Sequence, residues 1–169
     1  GLAALLTGLA RRHGARPALL LAGEAMSFAA LDAASRRLAA GLAGLASGRC
    51  DRVAFWMPNV PAYMALVFAC ARLGAVAVAV NTRFRAHEVG DIVGRSGAKL
   101  LVLAPGFHQI PFLEILAEVD PATLARIETV LLYGTGEGPL PALPLAKIRR
   151  VAYADLVQTA PIEGEGPGG

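Results

Sequence analysis

DRVAFWMPNVPAYMALVFACARLGAVAVAVNTRFRAHEVGDIVGRSGAKLLVL, residues 51–103, is the stretch that decides the fold. Three short apolar runs, Val53–Met57, Ala75–Val80 and Leu100–Leu103, alternate in it with segments of helical character. Strands that alternate with helices pair in parallel, because each crossover carries a helix back over the sheet. In a strand, Ala75–Val80 sets valines on one face and alanines on the other. Both faces are apolar, the pattern of a central parallel strand covered on both sides. The expected fold class is therefore α/β, a doubly wound, largely parallel sheet flanked by helices.

The same reading extends in both directions. Val60–Val80 is apolar enough and long enough to suggest a membrane span, but Pro61, Arg72 and Gly74 interrupt it. Asn59 suits an N-cap, Pro61 a first helical turn and Gly74 a position just past the helix end, so a buried helix Val60–Leu73 followed by a strand is expected. Downstream, His87–Ser96 reads as a helix in which Gly90 and Gly94 leave a flat surface, and Gly97 ends it. A strand Lys99–Leu103, helices Ile110–Val119 and Pro121–Ile127, a strand Thr129–Tyr133, a Gly/Pro-rich loop 134–144 and a short strand and turn over Val151–Val157 follow. Upstream, Leu2, Leu5, Leu6 and Leu9 give Leu2–His13 a helical face. Ala18–Ala22 and Ala25–Phe28 form a hairpin about Gly23-Glu24, and Ser27 caps a helix that runs to near Gly48. Asp32 stands four residues before Arg36, the favourable order for a surface ion pair.

Composition narrows the class. The chain has 169 residues, 55% of them hydrophobic and 17% charged, which excludes disorder and supports a real core. Its net charge of +3 is spread over scattered arginines, so no nucleic-acid footprint is expected. The two cysteines, Cys50 and Cys70, are too few for a disulfide framework and read as reduced thiols in a cytoplasmic protein. His13, His87 and His108 have no neighbours at ligand spacing, so no metal site is expected. The chain starts at Gly1 and ends in a Gly-rich run after Glu163, so both ends read as boundaries within a longer protein. The expected organisation is one α/β subdomain over residues 1–159 and a flexible linker over 160–169.

With these elements in order, the chain resembles the N-terminal part of the adenylate-forming superfamily. The matching residues are Met26-Ser27-Phe28-Ala29-Ala30-Leu31, Asp51-Arg52-Val53-Ala54, Met57-Pro58-Asn59-Val60-Pro61, Arg72-Leu73-Gly74-Ala75-Val76, Asn81-Thr82-Arg83-Phe84 and Ser96-Gly97-Ala98-Lys99-Leu100-Leu101-Val102. The resemblance covers roughly residues 1 to 133, and it rests on the order and spacing of these segments rather than on any one of them. Ala30 and Ala79 depart from the family pattern, which usually has Glu and Pro there. Asn81-Thr82-Arg83 looks like the acyl- and aryl-CoA ligases; peptide-synthetase adenylation domains usually carry Asp at the first position.

The resemblance implies a ligase that uses ATP, Mg2+ and coenzyme A, converting a carboxylic acid to an acyl-adenylate and then a thioester. Such enzymes grip phosphate with a Ser/Thr/Gly-rich loop ending in lysine, whose N–H groups and cation meet the transferring charge. Gly134-Thr-Gly-Glu-Gly138 is the glycine-rich candidate here, but it lacks the lysine and carries an acid. It reads as a connector. The catalytic lysine and the magnesium carboxylate of the family have no counterpart in the chain either, so it is expected to be an inactive scaffold. Its partners would be the downstream nucleotide-binding subdomain and the C-terminal domain of the same parent chain. Substrate-binding candidates are Trp56, at a strand end where α/β sheets gather ligands, and Arg83 and Arg85, after another strand end. The plainer reading makes Trp56 a core aromatic and lets the arginines fix a loop with Glu88 or Asp91. Tyr63, Met64 and Phe68 read as core. Two other readings stay open: a peptide-synthetase adenylation fragment, and a non-catalytic α/β interaction module.

Overall fold

In the computed structural model, residues 1–21, 23–45, 48–107, 110–136, 138–145 and 147–161 are described. They fall into two compact units. One comprises Gly1–Cys50, Asn59–Val76 and the chain from Leu156; the other comprises Asp51–Pro58 and Ala77–Asp155.

The first unit is helical. α1 (Leu2–His13) is followed by a hairpin of β1 (Pro17–Leu21) and β2 (Glu24–Ser27), then α2 (Phe28–Gly44) and α3 (Pro61–Leu73). The hairpin strands pair antiparallel, and Gly23 takes φ +85°, a conformation that glycine adopts without steric cost. Ser27 caps α2 as expected, its Oγ accepting from Ala30 N at 3.2 Å. Leu31, Leu38 and Leu42 then fall on one face and are fully buried, as are Leu6 of α1 and Leu66 of α3. α2 stops at Gly44, short of the expected end near Gly48; Ala46 and Ser47 lie outside the described residues. α3 is capped by Val60, not Asn59, and makes no side-chain cap bond. Pro61 sits at its first turn and Gly74 closes it in the left-handed region, φ +69°.

The second unit is an α/β sheet. Its strands are β3 (Arg52–Trp56), β4 (Val76–Ala79), β5 (Leu100–Leu103), β6 (Thr129–Leu132) and β7 (Arg149–Ala152), in the order β4-β3-β5-β6-β7. β3 with β5, β5 with β6 and β6 with β7 all pair in parallel. α4 (Ala86–Ser96), α5 (Phe112–Glu118) and a 3-10 turn at Pro121–Leu124 supply the helical layer. Val89, Val93, Phe112, Leu116 and Leu124 pack on Ala54, Trp56, Leu101, Leu103, Val130 and Leu132 of the sheet. The residues of the opposite face, Val53, Phe55, Leu100, Val102 and Leu131, are equally buried, as the doubly wound pattern requires. Gly94 does what its spacing predicts: a Cβ there would lie 3.1 Å from Thr123 Cβ, so its absence lets the 3-10 turn close on α4. α6 (Tyr153–Val157) ends the ordered elements.

Two further expectations change. Pro121–Ile127 is only a 3-10 turn, because Asp120 accepts from Ala122 N and closes it tightly after Pro121. β4 is an edge strand, not the central strand its two apolar faces predict, and Val76, Ala77 and Ala79 are exposed. β3 lies one strand in from that edge, hydrogen-bonded to both β4 and β5, and β5 is the middle strand. The glycine-rich linker after Glu163 lies outside the described residues.

Candidate functional site

Parallel pairing brings the C-terminal ends of the strands to one rim: Trp56, Leu103, Leu132 and Ala152 are in register. The chain leaves β3 for β4 on one side and returns to β5 on the other, so the winding reverses between β3 and β5. That reversal point is where open α/β sheets bind ligands.

Trp56 ends β3 at this point. It is fully buried, with its ring edge-to-face on Phe112 at 4.9 Å and 80°, so it is a core aromatic rather than an open wall. Its indole Nε1–H is buried without a hydrogen-bond acceptor among the described residues. Farther along the rim Tyr133 and Tyr153 pack edge-to-face at 5.1 Å. Burial first, and then the charge of Tyr133, push the Tyr153 phenol up to about 12, so it stays neutral at physiological pH.

Arg83 and Arg85 lie between β4 and α4 with exposed side chains. The loop is fixed by their backbones: Arg83 N–H donates to Asn81 Oδ1 at 2.9 Å and Arg85 N–H to Glu88 Oε2 at 3.0 Å. Hydrogen bonds from the backbone N–H of Glu88 itself first, and then from that of Arg85, hold the Glu88 carboxyl below its usual range. Asp91 pairs instead with Arg95, one helical turn on, at 3.1 Å. The structure therefore does not bring Trp56 and the two arginines together as one pocket. Gly134, Gly136 and Gly138 all take positive φ, and a Cβ on any of them would meet nothing within 4 Å. Among the described residues the next element is β7, so no helix N-terminus follows the stretch; Glu137 lies outside the described residues.

The described residues include a groove in each unit. The first unit has an apolar one of about 340 Å³ beside Leu20, Leu21, Val60, Tyr63 and Met64. The second unit has a polar one of about 480 Å³ beside His87, Asp91, Glu118, Asp120 and Thr123. Two of its acids have partners, Asp91 in the ion pair with Arg95 and Asp120 at the Ala122 N–H. Among the described residues no three His, Cys, Asp or Glu side chains gather at metal-binding distance, so this segment does not fit Mg2+.

Sequence reasoning missed one polar cluster. Arg72 of α3 is 5% exposed and donates to Asp32 Oδ1 at 2.5 Å and to Ser35 Oγ at 2.9 Å, while Thr7 Oγ1 donates to the same Asp32 oxygen at 2.9 Å. Arg36 Nε completes the set at 2.9 Å from Asp32 Oδ2. Burial pushes the Asp32 carboxyl upward, but hydrogen bonds from Arg36 and Thr7 and the charges of Arg72 and Arg36 outweigh it, leaving the carboxyl below its ordinary value. The signal was visible: Arg72 is the one charged residue of Pro61–Leu73, and it falls on the buried face.

Comparison with known proteins gives the family. The profile of the AMP-binding enzymes matches residues 7–153. The chain belongs to the AMP-binding enzyme family. Triostin synthetase I of Streptomyces triostinicus is 35% identical over 117 residues, 69% of this chain and 22% of that protein. A long-chain-fatty-acid–CoA ligase of Mycobacterium tuberculosis is 39% identical over 97 residues, 57% of this chain and 19% of the ligase. The crystal structure of the anthranilate CoA ligase AuaEII superposes with a TM-score of 0.76 at 21% identity, over 97% of this chain and 29% of that one, a likeness of fold. The chain thus spans about a fifth of the length of the curated relatives it matches. Among the described residues no helix is long and apolar enough to cross a membrane.

Proposed function

We propose that this segment of the AMP-binding family is the N-terminal scaffold of a longer acid–CoA ligase. The parent would use ATP and Mg2+ to convert a carboxylic acid to its adenylate and coenzyme A to take the acyl group as thioester. The observation that carries this reading is the family match over residues 7–153 in a chain that has Asn81-Thr82-Arg83 where the CoA-ligase branch has its counterpart. The long-chain-fatty-acid–CoA ligase among the relatives supports the same branch. In this reading the segment contributes packing surfaces to a downstream nucleotide-binding subdomain and C-terminal domain, in the cytoplasm. Residues 1–159 form the scaffold and 160–169 the linker. Arg83 and Arg85 are its exposed cations and suit a passing phosphate or carboxylate; Trp56 supports the rim from within.

The segment alone lacks the phosphate loop and catalytic lysine, so it is inactive. Acid-dependent ATP–pyrophosphate exchange tests this directly: none is expected from the purified 169-residue chain, and exchange is expected from the full polypeptide of the same gene. Activity in the short chain would overturn the reading. The relative named Triostin synthetase I favours a second reading, a peptide-synthetase adenylation segment. Thioester formation on free coenzyme A by the full polypeptide would decide against it.

A further inference from the structure

Residues 1–23 include Arg11, Arg12 and Arg16 and no acid, and all three arginines are exposed. They gather at the base of the β1–β2 hairpin. α1 ends at His13, whose carbonyl accepts from Arg16 N–H at 2.8 Å. The Arg16 carbonyl in turn accepts from Phe28 N–H at 3.1 Å, beside the Pro17–Ser27 pair that opens the hairpin. The other end of the hairpin is apolar. Leu20 is 76% exposed and Leu21 42%, next to the turn at Gly23. A single exposed leucine is ordinary. Two in succession on a strand point to opposite faces, so this tip is apolar on both sides. The groove of about 340 Å³ beside it carries the same apolar surface on to Val60, Pro61 and Met64.

We infer that the hairpin tip docks on an anionic lipid bilayer. Leu20 and Leu21 enter the boundary between headgroups and acyl chains, while Arg11, Arg12 and Arg16 meet the lipid phosphates. The occupant follows from shape and charge. A folded protein partner covers one face of a two-stranded hairpin, whereas a fluid apolar layer surrounds a tip that is apolar on both. Arg16 stands four residues from Leu20, about 13 Å along a strand, so cations at the base reach the headgroups when the tip lies about 5–10 Å deep. A second copy docked tip to tip would bring one basic cluster towards the other, which like charges oppose. Glu24, the first acid of the chain, is exposed and stands opposite Leu21 in the hairpin, and its charge holds the contact at the interface, short of the bilayer core. Such a peripheral contact needs no membrane-crossing helix, and it stands whether or not the parent is a ligase.

Vesicle flotation of the full polypeptide of the same gene tests this, with vesicles of phosphatidylcholine alone and of phosphatidylcholine mixed with about 30% phosphatidylglycerol. Binding to the anionic vesicles should exceed binding to the neutral ones at least about tenfold and should fall as salt rises. Leu20→Glu together with Leu21→Glu should cut it at least about tenfold, and so should Arg11→Gln, Arg12→Gln and Arg16→Gln combined. Both sets lie on exposed positions, so the unfolding midpoint should not move. Should the double glutamate change lower it, Leu20→Asn alone, at the more exposed leucine, should still weaken binding at least about threefold. Glu24→Gln should tighten binding, because it removes the negative charge that the lipid phosphates repel. No binding, equal binding to the two vesicles, or binding that the leucine and arginine changes leave intact overturns the inference. Weaker binding by Glu24→Gln overturns it as well. So does a doubled mass by light scattering that Leu20→Glu returns to that of a monomer, which would assign the tip to a second copy.

Discussion

Asp32 shows how one carboxylate can join three helices. It accepts from Thr7 of α1, Arg36 of its own helix and Arg72 of α3. Its folded carboxyl loses its proton more readily than an unfolded one. The linked stability is therefore present above the ordinary carboxylate range, near about pH 4, and is lost as pH falls through and below it. Urea denaturation of the wild type should show this loss as pH falls below about 4, and Asp32→Asn should lack that share of the pH dependence. At pH 7 Asp32→Asn should cost about 2 kcal/mol, less than the loss from a fully buried pair because the side chain remains 14% exposed. Trp56 gives a contrasting case. An unpaired buried donor costs about 1–3 kcal/mol, so Trp56→Phe removes that cost while losing part of a ring. The two effects oppose, and thermal unfolding followed by circular dichroism should place Trp56→Phe within about 1 kcal/mol of wild type, against about 3–5 for Trp56→Ala. The identity of Trp56 as a ligand candidate was legible from its strand-end position; its burial was not, because Phe112, which covers it, is 56 residues away in sequence.

The elements were legible wherever local chemistry and packing agree. Ser27, Gly74 and Gly97 end or begin helices through backbone geometry that their own residue types favour, and all three stand where expected. Ala75–Val80 was misread in position because strand composition reports what a strand can tolerate on its faces, not its place in the order. Gly41 carries a close approach that no local pattern announces. A Cβ there would lie 2.6 Å from Leu156 Cγ, so the glycine is what lets α6 lie against α2. Gly41→Ala should force Leu156 aside and destabilise by about 1–3 kcal/mol despite its better helix propensity. Adding Leu156→Ala should recover part of that loss; strict additivity of the two changes in urea titrations would remove the steric explanation.

At the scale of the molecule, the family was legible in the order and spacing of short segments, while the site was not, because Trp56, Arg83 and Arg85 were chosen by strand-end position, which does not fix burial or contact. What the scaffold does carry is a built-in report of its own opening. The chain has two cysteines, Cys50 exposed and Cys70 buried in the helical unit. Burial also pushes the Cys70 thiol up to about 12, so while it stays buried it is protonated and unreactive at neutral pH. A thiol reagent at pH 7.5 should therefore titrate one sulfhydryl at once and the second only as the helices open. In the limit of fast reclosing, the slow rate measures the free energy of that opening. Asp32→Asn, which unties α1 and α3 from α2, should quicken the slow phase about 30-fold if its cost of about 2 kcal/mol acts on the same opening. A slow phase unmoved by Asp32→Asn would mean that Cys70 is exposed by a local fluctuation of α3 that leaves the polar cluster intact.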